Sequence, residues 1–339
     1  MNSQSHSRSS EGAIPFSDLI SALLDNSTPL SPRYLYRLSG LEGNELEQLS
    51  QTWSEISLAR RRALIEDLED LSDSNTLVVF TSVFTIALDD IDPQIRITAL
   101  RALWDSEETS LIPNYLKILA NDADIEVRAQ AASGLGIYIY LGEIEEIPAE
   151  SLERIVHILL QLVDDPQIDK RIRQKALASL GFSSAPRVPA LIEESYELGD
   201  EEWLQYTLLA MERSLDKQWF PHVISCLNHD NDLIRLAAIS AAGELEISDS
   251  IPHLIDMLQD QNDEIRIAAA WALSQIGAEE AQESLELLID QTDDPDELNH
   301  LENAMENLLF NQDMIDFNLF DFDENDLDDR FSDLTDNKE

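Results

Sequence analysis

Six histidines, one cysteine and a dense population of carboxylates are the residues of this 339-residue chain that could carry chemistry. The histidines are His6, His157, His222, His229, His253 and His300. A protein metal site needs three or four ligands converging at short spacing. His222 and His253 each follow a proline and lie 31 residues apart, so repeat equivalence explains them better than a ligand pair does. The acid pairs Asp89-Asp90, Asp164-Asp165 and Asp293-Asp294 lack the spacing and central glycine of a calcium loop, and are expected to cap helices. Gly134-Leu-Gly136 lacks the third glycine of a dinucleotide loop, and no phosphate-binding loop or nucleophile elbow occurs. Cys226 lies in an apolar pattern, as inert core cysteines do. The sequence therefore assigns no catalytic residue, no metal and no cofactor.

The carboxylates dominate in another way. Asp and Glu number 68 against 22 Lys and Arg, a net charge of −46. Such a surface repels nucleic-acid phosphates and anionic lipid, and favours a basic or amphipathic protein partner. An adaptation to high salt would also give this charge. Only five of the 22 bases are Lys, which fits it, whereas the ample Ile, Leu and Val do not. The polar, Ser-rich start, Met1 to Gly12, has no apolar signal region, residues 1–13 are expected to be disordered, and no apolar run is long enough to span a bilayer, so a soluble cytoplasmic protein is expected.

The elements that must position these charges repeat along the chain. An Asp or Asn, then an apolar residue, Arg, two residues and Ala recur at Asp92…Arg96, Asp124…Arg128, Asp169…Arg173, Asn231…Arg235 and Asn262…Arg266. Weaker copies are anchored at Arg60, Gln205 and Asn299, and the anchors are spaced 36, 32, 45, 32, 30, 31 and 33 residues apart. This is a helical-repeat period. Each unit reads as two helices. Pro113, Pro189, Pro221 and Pro252 open the first helix, where a missing N–H costs nothing. The Asp or Asn four residues before the Arg caps the second, which is Ala-rich and packed between neighbours. Gly136, Gly181 and Gly243, eight residues after their Arg, permit close helix approach or end the helix.

This pattern resembles the HEAT-repeat family, in the short two-helix form of bilin-lyase-like proteins. The resemblance covers residues 42–310 and implies an all-α, right-handed solenoid of about eight repeats. Helices in residues 14–41 are expected to cap its open end. It implies a protein-interaction scaffold; a bilin-lyase-like subunit or assembly factor is the alternative. Deoxyhypusine hydroxylases, which are HEAT-like, bind iron through His-Glu pairs; this sequence has no His-Glu dipeptide, so that activity is not carried over.

An Arg in a helix's first turn opposes the helix dipole and needs compensation. The turn acids are expected to supply it, in an Arg–carboxylate ladder that joins adjacent repeats. The ladder comprises Arg96, Arg128, Arg173, Arg235 and Arg266 with Asp92, Asp124 and Asp169, and draws on Asp90, Asp122 and Asp260. The alternative is an Arg row that binds phosphate or carboxylate ligands. Three departures from the period are candidate partner surfaces. One is the insertion carrying Tyr138 and Tyr140; another is the Arg-less repeat carrying Trp203 and Trp219. The third is residues 311–339, with eleven acids against two bases and Phe317, Phe320 and Phe322 among them. That composition predicts a disordered tail that folds on a partner or back on its own solenoid.

Overall fold

The computed structural model describes residues 14–320, with side chains as far as residue 311. Among the described residues every regular element is a helix. The chain divides into two compact units, Met1–Ala185 and Pro186–Glu339.

The first unit opens with α1 (Phe16–Leu24), whose Phe16, Leu19, Ile20 and Leu23 are buried. The helix expected from Ser31-Pro32 is two three-residue 3-10 turns, Pro32–Tyr34 and Tyr36–Leu38. Gly40, at φ +65°, stops the run before an α-helix can propagate. Helix pairs follow: α2 (Gly43–Thr52) with α3 (Leu58–Ser74), α4 (Thr81–Ala87) with α5 (Pro93–Ala102), and α6 (Ile112–Asn121) with α7 (Ile125–Glu143). The unit ends with α8 (Ala149–Asp164) and α9 (Lys170–Leu180). The insertion between Arg128 and Arg173 lengthens a pair rather than forming a projection. It makes α7 19 residues long and α8 16.

The second unit repeats the plan with α10 (Val188–Glu197), α11 (Glu201–Ser214), α12 (Phe220–Cys226), α13 (Asp232–Glu244), α14 (Ile251–Met257) and α15 (Asp263–Ile276). It closes with α16 (Gln282–Gln291) and α17 (Pro295–Phe320), so the domain boundary expected at residue 310 falls inside a helix. Within each unit the second helices of successive pairs lie side by side: α3, α5, α7 and α9 in one, α11, α13, α15 and α17 in the other.

The caps form where the sequence puts them. Asp92, Asp124, Asp169, Asn231 and Asn262 each accept a backbone N–H of their own first turn. Asp200 and Asp294 do the same for the repeats that lack the Arg. Pro113, Pro189, Pro221 and Pro252 all stand at the start of first helices. Each cap frees the chain from an orphaned N–H, and together they fix where each second helix begins.

Those starting points decide what the arginines reach. The Arg96 Nε and Nη2 donate to the two oxygens of Asp122, 26 residues on, at 2.8 and 2.7 Å. Its Nη1 donates back to the Asp90 carbonyl at 2.7 Å. Arg266 does likewise, donating to Glu297 of the next pair at 2.7 Å and to the Asp260 carbonyl at 2.8 Å. Arg235 lies 3.4 Å from Asp260 and 2.9 Å from Asp232, and donates to the His229 carbonyl. The carboxylate thus comes from the following repeat, and the turn six residues back contributes a carbonyl. The early anchor is Arg61 rather than Arg60, since Ser57 holds the cap position. Arg61 lies 2.7 Å from the Asp90 carboxylate, which also accepts the Trp53 indole N–H. Arg62 forks onto Asp92 at 2.6 and 3.1 Å.

Arg128 departs from the expected ladder by donating to the Leu119 carbonyl. Arg173 donates to the Val163 carbonyl. Asp169 pairs with Arg171, two residues away, and Asp124 serves its own helix as a cap.

Removing one partner of a buried charge pair strands the other, whereas exposed pairs contribute little. Arg96→Ala is expected to lower the stability of its unit by about 2 kcal/mol, read as a shifted denaturant midpoint. Arg187→Ala, which removes an exposed pair with Glu194, should change it by less than about 0.5 kcal/mol. Hydrogen bonds from Arg62 hold the Asp92 carboxyl below the usual carboxylate range. A depressed pKa contributes stability above the unfolded value that is lost as pH falls through the folded one. Arg62→Gln should therefore move acid unfolding to higher pH, followed by circular dichroism.

Candidate functional site: an acid-rimmed helix face in the second unit

The exposed aromatic surface is not where the repeat irregularities suggested. Tyr138 is fully buried: it meets the Tyr115 ring edge-on at 5.8 Å and donates its hydroxyl to the Glu108 carbonyl. Burial pushes both phenols above their ordinary range. Trp219 and Trp203 are core residues of the second unit, and neither can meet a partner. They serve packing because each lies on the inward stripe of its own helix or turn. Tyr140 is half-exposed and rests against Phe182. Phe317 and Phe320 fall in α17 beyond the described side chains, and Phe322 lies outside the described residues. Cys226 is buried, which pushes its thiol up.

A different surface emerges from the stacking of α11, α13, α15 and α17. Positions 233, 236, 240 and 244 of α13 fall on one face by helical periodicity, as do 264, 267, 271 and 275 of α15. Cross-helix hydrogen bonds set these rows in register. The Asn231 and Asn262 amides donate to Glu201 and Asp232 at 3.0 and 2.9 Å near the helix starts. Ser240 donates to Glu212 at 2.9 Å, and Gln275 to Glu244 at 2.6 Å, near the ends. Gly243 permits the approach: a Cβ there would stand 3.0 Å from the Ala272 Cα and collide with the Gln275 amide.

The middle of this face is apolar. Leu209, Leu236 and Ile267 are half-buried, and Trp271 is 47% exposed. Leu233, 57% exposed, joins them from the first turn of α13. Acids stand on both sides. Glu201, Glu202, Asp232, Asp263 and Glu264 line the edge at the helix starts, and Glu212 and Glu244 the edge at the helix ends.

The charge around it is one-sided. Residues 186–310 contain 28 Asp and Glu against five Lys and Arg, net −23, whereas residues 1–185 contain 29 against 15, net −14. Of those five bases, Arg187, Arg235 and Arg266 are engaged with Glu194, Asp232 with Asp260, and Glu297. Burial, with the neighbouring Glu244 charge, pushes the Glu212 carboxyl above the usual range against the hydrogen bond from Ser240.

The first unit offers a shallow groove of about 600 Å³ between α2 and α4, lined by residues such as Ser50, Gln51, Ser82 and Glu108. Its lining mixes Leu46, Ile86 and Leu111 with the carboxylates of Glu47 and Glu108. Among the described residues no group of three or more His, Cys, Asp or Glu is arranged to hold a metal ion. No described helix is long and apolar enough to cross a membrane.

Sequence reasoning passed over Trp271 because the Ala-rich α15 reads as apolar all round. The usable signal was phase: Trp271 shares its face with Gln275 and Glu264, not with Ala269, Ala270 and Leu273.

The family model for HEAT repeats matches residues 220–306. No curated protein matches the chain. Solved structures similar to it include a complex of CpcE and CpcF of phycocyanin lyase from Nostoc sp. PCC7120, at 19% identity and TM-score 0.44, covering 68% of this chain and 95% of that one. Human deoxyhypusine hydroxylase is similar at 19% identity and TM-score 0.36, covering 78% and 96%. Escherichia coli YibA is similar at 18% identity and TM-score 0.40, covering 70% and 96%.

The burial pattern predicts which tryptophans acrylamide reaches. Trp104, 65% exposed, and Trp271 should account for most of the quenchable emission. Trp104→Phe with Trp271→Phe should remove it, leaving a blue-shifted, weakly quenched signal from Trp53, Trp203 and Trp219.

Proposed function

We propose a non-catalytic binding role for this chain, whose residues 220–306 match the family model for HEAT repeats, in which the second unit holds a basic amphipathic helix of a partner protein. The observation that carries this reading is the exposed Trp271 stripe set between two acidic edges. An apolar stripe alone would favour any hydrophobic surface. Flanking carboxylates restrict it to partners whose apolar face is bordered by Lys and Arg. Trp is a frequent energetic anchor of interfaces, because it buries a large rigid surface at small entropic cost. Three neighbouring helices at about 10 Å spacing give a stripe of about 20 Å, the length of about 14 helical residues.

Long-range attraction between such a segment and a unit of net charge −23 speeds encounter and weakens with salt. The tail, net −9 over residues 311–339, adds to the same field. The Arg residues at the helix starts keep a structural role in this reading, since their guanidinium groups are directed at turn carbonyls and carboxylates.

A synthetic 18-residue helix of Leu and Lys, with one apolar face, should bind the full chain. Its Kd should weaken by about tenfold or more between low and physiological salt. Trp271→Ala should weaken it by about 2 kcal/mol, roughly thirtyfold, without lowering the melting temperature appreciably. Binding that ignores both salt and Trp271 would remove the proposal.

A further inference from the structure

The two edges of the stripe are not electrostatically equivalent. Glu201, Glu202, Asp232, Asp263 and Glu264 all stand in the first turns of their helices, where the positive end of the helix dipole stabilises a negative charge. The Asn231 amide donates to Glu201, and both Arg235 and the Asn262 amide to Asp232. The charge of Glu201 and Asp232 is answered within the protein.

Glu212 and Glu244 stand in the last turns of α11 and α13, where the dipole's negative end opposes them. They repel each other, and partial burial of Glu212 adds a desolvation cost. The groups around them are Arg213 on α11, Ser240 on α13 and Gln275 on α15. Ser240 and Gln275 are neutral donors that fix the carboxylates in place without cancelling their charge. Arg213 offsets Glu212 less than burial and Glu244 oppose it. Trp271 lies one helical turn before Gln275, so an occupant seated on its ring passes beside this edge.

Resting on the docking role proposed above, we infer that Glu212 and Glu244 are the specificity-determining edge, which receives the partner's Lys or Arg side chains, and that the first-turn acids contribute little to affinity. A cation between these two carboxylates relieves their repulsion. One at the opposite edge would compete with donors already in place. The free protein carries Glu212, partly buried beside the Glu244 charge, at a cost in stability. A carboxylate whose pKa is raised by folding opposes the fold at neutral pH, and the opposition fades as pH falls through the raised value. Neutralising it should therefore stabilise the empty protein while impairing its binding.

The test uses the full chain and the same Leu/Lys peptide. Glu212→Gln with Glu244→Gln keeps both side-chain acceptors and removes only charge. Glu201→Gln with Asp232→Asn removes two charges from the opposite edge, at the acids that already have donors. The first pair should weaken peptide binding at least tenfold at low salt and raise the melting temperature at pH 7. The second should change Kd less than threefold and should not raise the melting temperature. Equal losses from the two pairs, or a larger loss from the second, would overturn the edge assignment while leaving the docking role standing. Unchanged or lowered melting of the first pair would overturn it too. Failure of the native chain to bind the peptide at all removes the docking role, and this inference with it.

Discussion

A guanidinium that reaches forward from one helix start to a carboxylate in the next turn is the constraint on which each unit depends. Arg96 to Asp122 and Arg266 to Glu297 are the clearest cases: planar forks anchored at the same time on a carbonyl of their own turn. Such a fork tolerates little rotation. It fixes the height of one helix pair against the next, and the core fills the space so defined. Ala99, Ala131, Ala238 and Ala269, all fully buried, supply the small surfaces that let second helices approach. The hydrophobic effect drives the stacking but is non-directional; the forks and caps set its register.

That register shapes the surface of the second unit. Because α11, α13 and α15 start at matched heights, side chains at equivalent positions fall into rows across the face. Leu236 and Ile267 become neighbours, and first-turn acids line up with first-turn acids. The same stacking that makes a row of apolar residues makes rows of like charges beside it. The protein answers one such row with helix dipoles and asparagine amides and leaves the other at Glu212 and Glu244 poorly compensated. A partner's cations would complete what the fold leaves open.

The architecture was legible because caps and arginines recur at fixed offsets, and those offsets have one local meaning. An Asp four residues before an Arg caps a helix whatever surrounds it, and the prolines mark helix starts for reasons internal to the backbone. What a single sequence left undetermined was direction. Six residues separate Asp90 from Arg96, which suggests a pair within one repeat, yet the carboxylate Arg96 uses belongs to Asp122. Offsets within a repeat carry no record of contacts between repeats. Aromatic residues misled for a related reason. Trp203, Trp219 and Tyr138 draw attention by type, but exposure depends on helical phase relative to a neighbour. Trp271, hidden in an alanine-rich run, faces outward from the second unit.

Carboxyl-group labelling of the full chain with a carbodiimide and glycinamide, with and without bound Leu/Lys peptide, reports the occupied face directly. The account predicts that the peptide suppresses labelling of Glu212 and Glu244 and leaves Glu66, Asp70 and Asp73 of the first unit unchanged. Suppression spread evenly over both units, or confined to the first, would contradict it.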